Sequence, residues 1–319
     1  MPLNRYSGNP LITRRDISLS GTHLTDVSSV FNPGGILFNG KIILLLRVQN
    51  RGRETFLVKA ESSDGKSFQI GTSQITFEGL ESIQETVYHC YDPRITRIAD
   101  VFYIMFAMDL ESSCKLGLAT TIDFETYSFL GIVSEEDNRN GVLFPQMFNG
   151  KFLRLDRPNP PEPKSGSFSG DTVWLSESKD LLSWEKVQPV FSGRHHYWDE
   201  LVGAGPPPIK TSDGWLLFYH GIATHFQSVN IYQVGAALLD LENPSTVLAR
   251  TKYNILEPRE SYELTGQVPN VVFPTGLILN DDLPVTRNSE LMIYYGAADT
   301  SVCLATSTVG EIMADLEPI

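Results

Sequence analysis

Cysteine is scarce. The 319-residue chain holds only Cys90, Cys114 and Cys303, an odd number with no CxxC pair, which argues against a zinc knuckle and against a disulfide framework. Positive charge is in deficit as well: 25 Lys and Arg stand against 38 Asp and Glu, for a formal net charge of −13. Nucleic acid is excluded as a partner on that count, because binding a phosphate backbone needs a basic stripe and none is visible. No stretch approaches the roughly 18 apolar residues of a membrane span, and residues 1–5 (MPLNR) show no apolar run before a small-residue cleavage site. A soluble, reducing, cytoplasmic setting without membrane contact is the expectation. No cluster of ligands suggests a metal. Helical periodicity is nearly absent, residues 309–316 alone reading as one or two helical turns.

What is present is turn chemistry and aromatic-rich strands: 25 Gly, 19 Pro and 10% aromatics suit many short strands joined by tight turns. Five segments repeat one plan, a turn followed by an apolar strand. They are residues 39–47 (NGKIILLLR), 99–109 (ADVFYIMFAMD), 149–157 (NGKFLRLDR), 212–220 (SDGWLLFYH) and 288–299 (NSELMIYYGAAD). Asn-Gly and Asp-Gly ahead of such strands are strong hairpin signals, because both central residues of the turn need φ > 0. A second strand follows each copy, and in four cases it leads into a polar turn: residues 58–65, 117–123, 173–180 and 235–241. The spacing between copies leaves room for a four-stranded blade plus a variable loop. The chain is therefore expected to be all-β, a single five-bladed β-propeller over residues 1–319. A β-sandwich with coincidental hairpins is the competing architecture.

The repeated strands end at Arg47, Asp109, Arg157, His220 and Asp299. Corresponding strand ends of a propeller lie on one face around the axis, so these five charged or titratable residues predict a polar site in the central funnel. Two further acidic spots stand out. In residues 88–94 (YHCYDPR), Asp92 precedes Pro93, which biases its backbone to an extended conformation, and Arg94, two residues on, is placed to hold its carboxylate. In residues 198–208 (WDELVGAGPPP), Asp199 and Glu200 follow Trp198, an arrangement suited to gripping a sugar ring. The Gly-Ala-Gly there is not a dinucleotide cradle, since no strand–helix unit precedes it.

Several motifs together resemble glycoside hydrolase family 130: Asn9-Pro10, residues 91–94 (YDPR), 142–145 (VLFP) with Asn149-Gly150 after them, Arg157-Pro158, 203–209 (GAGPPPI), 219–221 (YHG) and 294–300 (YYGAADT). That family is a five-bladed propeller of inverting mannoside phosphorylases with some hydrolases. The resemblance implies Asp92 as general acid, acting through a hydroxyl of the mannose. It implies Asn32, Arg47, Arg94 and Asp299 as contacts to that sugar, and Arg157 and His220 as parts of a phosphate pocket. Asp109, Asp171 and Trp198 complete the candidate substrate-binding residues.

Three departures from the family pattern shape the functional expectation. Met147 stands where a Lys is usual, Asp156 where a His is common and Leu201 where an Arg or Lys is usual. Phosphate draws most of its binding from charge-assisted contacts, so these changes predict weakened phosphate binding. An inverting hydrolase instead needs a carboxylate base on the face opposite the acid, and Asp199 or Glu200 is adjacent to the lost cation. The expectation is thus an inverting hydrolase of β-mannosides, β-1,2-linked oligosaccharides in particular, without a cofactor. The alternatives are a phosphorylase using inorganic phosphate as co-substrate, its charge restored by Arg51, Arg53, Arg194, His195 or His196, and a non-enzymatic sugar-binding propeller. The loop of residues 158–169 is expected to set the leaving-group specificity. Self-association into a homo-oligomer is left open.

Overall fold

Residues 1–18, 26–159, 169–224, 229–279 and 284–319 are described by a computed structural model; most of the 158–169 loop lies outside them. Five antiparallel sheets of at least four strands radiate around one axis, each a blade whose innermost strand borders the funnel. Blade 1 comprises Val27–Phe38, Lys41–Asn50, Thr55–Ser62 and Gln69–Gln74; blade 2, Val87–Ile98, Val101–Leu110, Cys114–Thr121 and Ser128–Ile132; blade 3, Asn138–Phe148, Lys151–Pro158, Thr172–Ser178 and Glu185–Ser192. Blade 4 runs from Leu201–Ala204, with Ile209–Lys210 on the same side, through Trp215–Ala223 and Ile231–Leu239 to Val247–Thr251. Blade 5 has Val272–Leu279, Glu290–Ala297 and Ser301–Thr308, and takes its outer strand, Asn4–Arg5, from the other end of the chain. The C-terminal strand Leu316–Pro318 extends blade 4, and a short helix, Val309–Ala314, precedes it.

The turns that punctuate the sequence do what their chemistry dictates. At both Asn39-Gly40 and Asn149-Gly150 the two residues have positive φ, between 49° and 78°, and each pair joins the first to the second strand of its blade. A second device recurs farther out. Asp64, Asp123, Asp180 and Asp240 each accept backbone N–H bonds from the residues two and three positions on, closing the turn between the third and fourth strands.

Each second strand is buried on both faces, as in Lys41–Asn50, because a blade is sandwiched between two neighbours. The apolar side chains accordingly fall into interblade layers, such as Ile43 with Phe102 and Phe106 between blades 1 and 2, or Phe144 with Trp215 between blades 3 and 4. The layer between blades 2 and 3 is built on Met105, Leu116, Leu118, Val133, Leu143 and Leu181. No helix among the described residues is long and apolar enough to cross a membrane.

Candidate active site

Three innermost strands break register at the same depth, between Phe31 and Gly34, Tyr91 and Arg94, and Arg139 and Val142. In each break sits one left-handed residue: Asn32 (φ 43°), Asp92 (φ 53°) and Asn140 (φ 57°). A bulge bends the strand and re-aims a side chain, and Asn and Asp are the residues besides glycine that tolerate this conformation best. Asp92 therefore departs from the extended backbone that Pro93 favours; the bulge decides its conformation. The strands approach closely around these side chains. A Cβ on Gly296 would lie 1.9 Å from Asn32 Oδ1, and one on Gly203 would lie 2.4 Å from the His220 ring.

The result is a cavity of about 310 Å³ at the axis. All five predicted strand-end residues, Arg47, Asp109, Arg157, His220 and Asp299, line it together with Asn32, Asp92 and Arg94. Asp92 Oδ1 accepts from Arg47 Nη1 at 2.8 Å and from Asn32 Nδ2 at 2.9 Å. Arg47 is itself held between the rings of Phe31 and Tyr91, 4.4 Å from each centroid. Burial, aided by the Asp92 charge and opposed by Arg47, pushes the Asp299 carboxyl up to about 6. Asp109 accepts from the Tyr91 hydroxyl at 2.8 Å and lies 3.9 Å from Arg139.

Arg94 does not hold the Asp92 carboxylate. Its guanidinium donates to the backbone carbonyls of Asp92, Ala204 and Gly205 and to Asn140 Oδ1, at 2.9–3.3 Å, so it ties blade 2 to blades 3 and 4. Arg157 is buried too, with Nη1 3.4 Å from His220 Nε2 and Nε without a partner among the described residues. Burial pushes both guanidiniums down to about 10, and among the described residues neither forms a salt bridge with a carboxylate. His220 is wholly buried, and its pKa falls well below the usual imidazole range through burial and then the charges of Arg157 and Arg94. A neutral ring with Nε2 accepting from Arg157 follows, packed against Phe273 at 4.5 Å.

Four sequence candidates stand apart from the cavity. Asp199 is fully buried and saturated, accepting from Arg194, Arg250 and Tyr219 at 2.7–3.1 Å; no side of it is open to a water nucleophile. Glu200 bonds Thr224 and faces His195 at the protein surface. Trp198 stacks on Tyr219, and its Nε1 donates to the Lys252 carbonyl at 2.9 Å, so it anchors a loop and grips no sugar. Asp171 is exposed and accepts from its neighbour Thr172.

The three departures that suggested lost phosphate binding lie elsewhere as well. Met147 is exposed near the Asn149-Gly150 turn, Asp156 is buried with Arg154 at 2.7 Å on the blade 2 side, and Leu201 pairs with Ile222. None lines the cavity, and neither do Arg51, Arg53, Arg194, His195 or His196. Arg139, Asn140 and Tyr232 do, and sequence reading passed over them. The signal was there: residues 139–141 (RNG) immediately precede the Val-Leu-Phe-Pro motif, at the place in blade 3 that Asp92-Pro93 holds in blade 2.

Comparison with known proteins bears on the reaction. The chain is 33% identical, over 97% of its length and 89% of the relative's, to beta-1,4-mannooligosaccharide phosphorylase of Ruminococcus albus. It is 31% identical, over 99% of both chains, to beta-1,2-mannobiose phosphorylase of Listeria innocua. The structure of the Listeria innocua enzyme in complex with beta-1,2-mannobiose superposes with a TM-score of 0.85, at 30% identity over 99% of each chain. The expectation of a hydrolase is overturned by these relatives, which are phosphorylases, and by the removal of Asp199 and Glu200 from the cavity. The profile of beta-1,4-mannooligosaccharide phosphorylases matches residues 4–317, and the chain belongs to glycoside hydrolase family 130.

Proposed function

We propose that this chain is an inverting β-mannoside phosphorylase. The observation that carries the reading is the division of charge around the cavity. The carboxylates, Asp92, Asp109 and Asp299, come from blade 2 and the tip of blade 5. The cations without a carboxylate salt bridge among the described residues, Arg94 and Arg157, converge with neutral His220 from blades 2, 3 and 4. Arg157, desolvated and with N–H groups that no described residue accepts, suits a dianion such as phosphate, met by charge-assisted hydrogen bonds; Arg94, its guanidinium largely spent on carbonyls and Asn140, adds its charge. Arg139 and Asn140 stand beside them.

In this reading the mannoside binds with its anomeric carbon between the two groups. A phosphate oxygen attacks C1 from the face opposite the scissile oxygen and forms the new C1–O bond. The C1–O bond to the leaving sugar breaks, and its oxygen takes a proton that originates at the protonated form of Asp92, which is left as the carboxylate held by Arg47 and Asn32 and regains a proton from solvent before the next turnover. Oδ1 of Asp92 is engaged by Arg47 and Asn32, which leaves Oδ2 for the proton transfer. One displacement inverts the centre, giving α-mannose 1-phosphate and a shortened acceptor. The named relatives include both β-1,4- and β-1,2-mannoside phosphorylases, so the test offers both linkages. The chain is incubated with each mannobiose, with and without phosphate, and products are read by ³¹P and ¹H NMR. Phosphate-dependent α-mannose 1-phosphate is expected; free mannose formed at the same rate without phosphate would overturn the proposal.

A further inference from the structure

The loop that leads into the innermost strand of blade 4 carries a cluster the cavity does not use. His195, His196 and Glu200 place one ligand atom each within 4.8 Å of one another. His195 Nδ1 lies 3.4 Å from Glu200 Oε1, and the two imidazole rings are 3.8 Å apart at 39°. Neighbouring side chains on an extended strand point to opposite faces. Here His196 takes a left-handed backbone, φ 53°, and both rings lie together. The turn is closed by the Tyr197 N–H, which donates to the Arg194 carbonyl at 3.1 Å, and a left-handed residue at its third position is one of the standard ways to close such a turn.

We propose that His195, His196 and Glu200 bind a divalent transition-metal ion of the zinc class. Two imidazoles with a carboxylate form a set that zinc accepts, whereas magnesium and calcium favour oxygen ligands and would leave the imidazoles unused. Metal–ligand bonds of about 2.0–2.1 Å put tetrahedral ligand atoms about 3.3 Å apart, so small side-chain rotations close the cluster. Glu200 is oriented from behind by the Thr224 hydroxyl and the His196 N–H, the kind of outer contact that fixes a ligating carboxylate. The neighbouring cation Arg194 is already met by Asp199 at 2.7 Å. The His195 side chain is 80% exposed, so solvent completes the coordination. The same loop runs into Gly203, packed against His220, so a bound ion braces one wall of the cavity.

The test uses the untagged full chain in phosphate-free buffer, titrated with zinc chloride against a chromophoric chelator. One equivalent binding with micromolar affinity is expected, with Tm rising as zinc is added. His195→Ala, a change at an exposed side chain that the fold does not depend on, should weaken binding at least tenfold, and His195→Ala/His196→Ala should abolish it. Absence of stoichiometric binding, or affinity unchanged in the double variant, would overturn the proposal.

Discussion

Asp92 and Asp199 look alike on paper: each is a buried aspartate with arginine at 2.7–2.8 Å. Asp199 spends both oxygens on Arg194, Arg250 and Tyr219 and is wholly shut from solvent. Among the described residues Asp92 spends only Oδ1, and it borders the cavity. An ion pair by itself therefore separates nothing. What separates a reacting carboxylate from a rivet is whether an oxygen is left over, and whether that oxygen meets open space.

Replacing each aspartate puts this contrast to the strongest test. Asp92→Asn should lower kcat by about 10²–10⁴-fold, the usual range for loss of a general acid, while the melting temperature stays near the parent's. Near-normal turnover would move the acid elsewhere. Asp199→Asn should do the reverse, costing about 3–5 kcal/mol of stability in denaturant titrations because it leaves the buried Arg250 and the partly buried Arg194 uncompensated. Turnover per folded molecule should be retained; loss of turnover at full stability would return Asp199 to the chemistry.

A smaller effect sharpens the cationic side. Arg157→Gln should raise KM for phosphate about 10- to 100-fold, from roughly 1.5–3 kcal/mol per charged hydrogen bond, without changing mannoside affinity measured by calorimetry in the absence of phosphate. A fall in mannoside affinity instead would assign Arg157 to the sugar. The smallest effect concerns Asp299, whose carboxyl is raised to about 6 by burial. A carboxyl with a raised folded pKa contributes stability that is present below about pH 4 and lost as pH rises through 6. Asp299→Asn should therefore be more stable than the parent at pH 8, by about 1–3 kcal/mol, with the difference shrinking toward pH 4. A constant difference across that range would show that ionisation of Asp299 carries no such penalty.

The fold was legible because its punctuation is local. Asn39-Gly40 and Asn149-Gly150 need only themselves to form their turns, and every repeated strand was found between such signals. Part of the site was legible for the same reason, since equivalent strand ends must meet around an axis, as Arg47, Arg157, His220 and Asp299 do. What was missed depends on partners distant in sequence. Arg250 and Tyr219 turn Asp199 into a structural group, yet neither is near it in the chain. The bulges that aim Asn32, Asp92 and Asn140 inward arise from pairing with neighbouring strands, so the equivalence of Asn140 to Asp92 emerges only when the innermost strands are aligned blade to blade. Met147, Asp156 and Leu201 misled because their positions were judged by adjacency to a motif, whereas a one-residue step along a strand sends a side chain to the opposite face.

Four blades are made from consecutive hairpins, but the fifth joins Asn4 and Arg5 to Thr306 and Ala305. Those two residues precede blade 1 in the sequence, and their partners follow the rest of the ring. Blades 1 to 4 complete their local pairings as the chain lengthens, whereas the seam that closes the ring depends on the longest loop in the molecule, a slow kind of contact to form. Arg5 reinforces that seam through the buried carboxylate of Glu263, at 2.8 Å. Until Asn4–Arg5 pairs with Ser301–Thr308 the blades form an open arc, and that one short strand turns the arc into a ring.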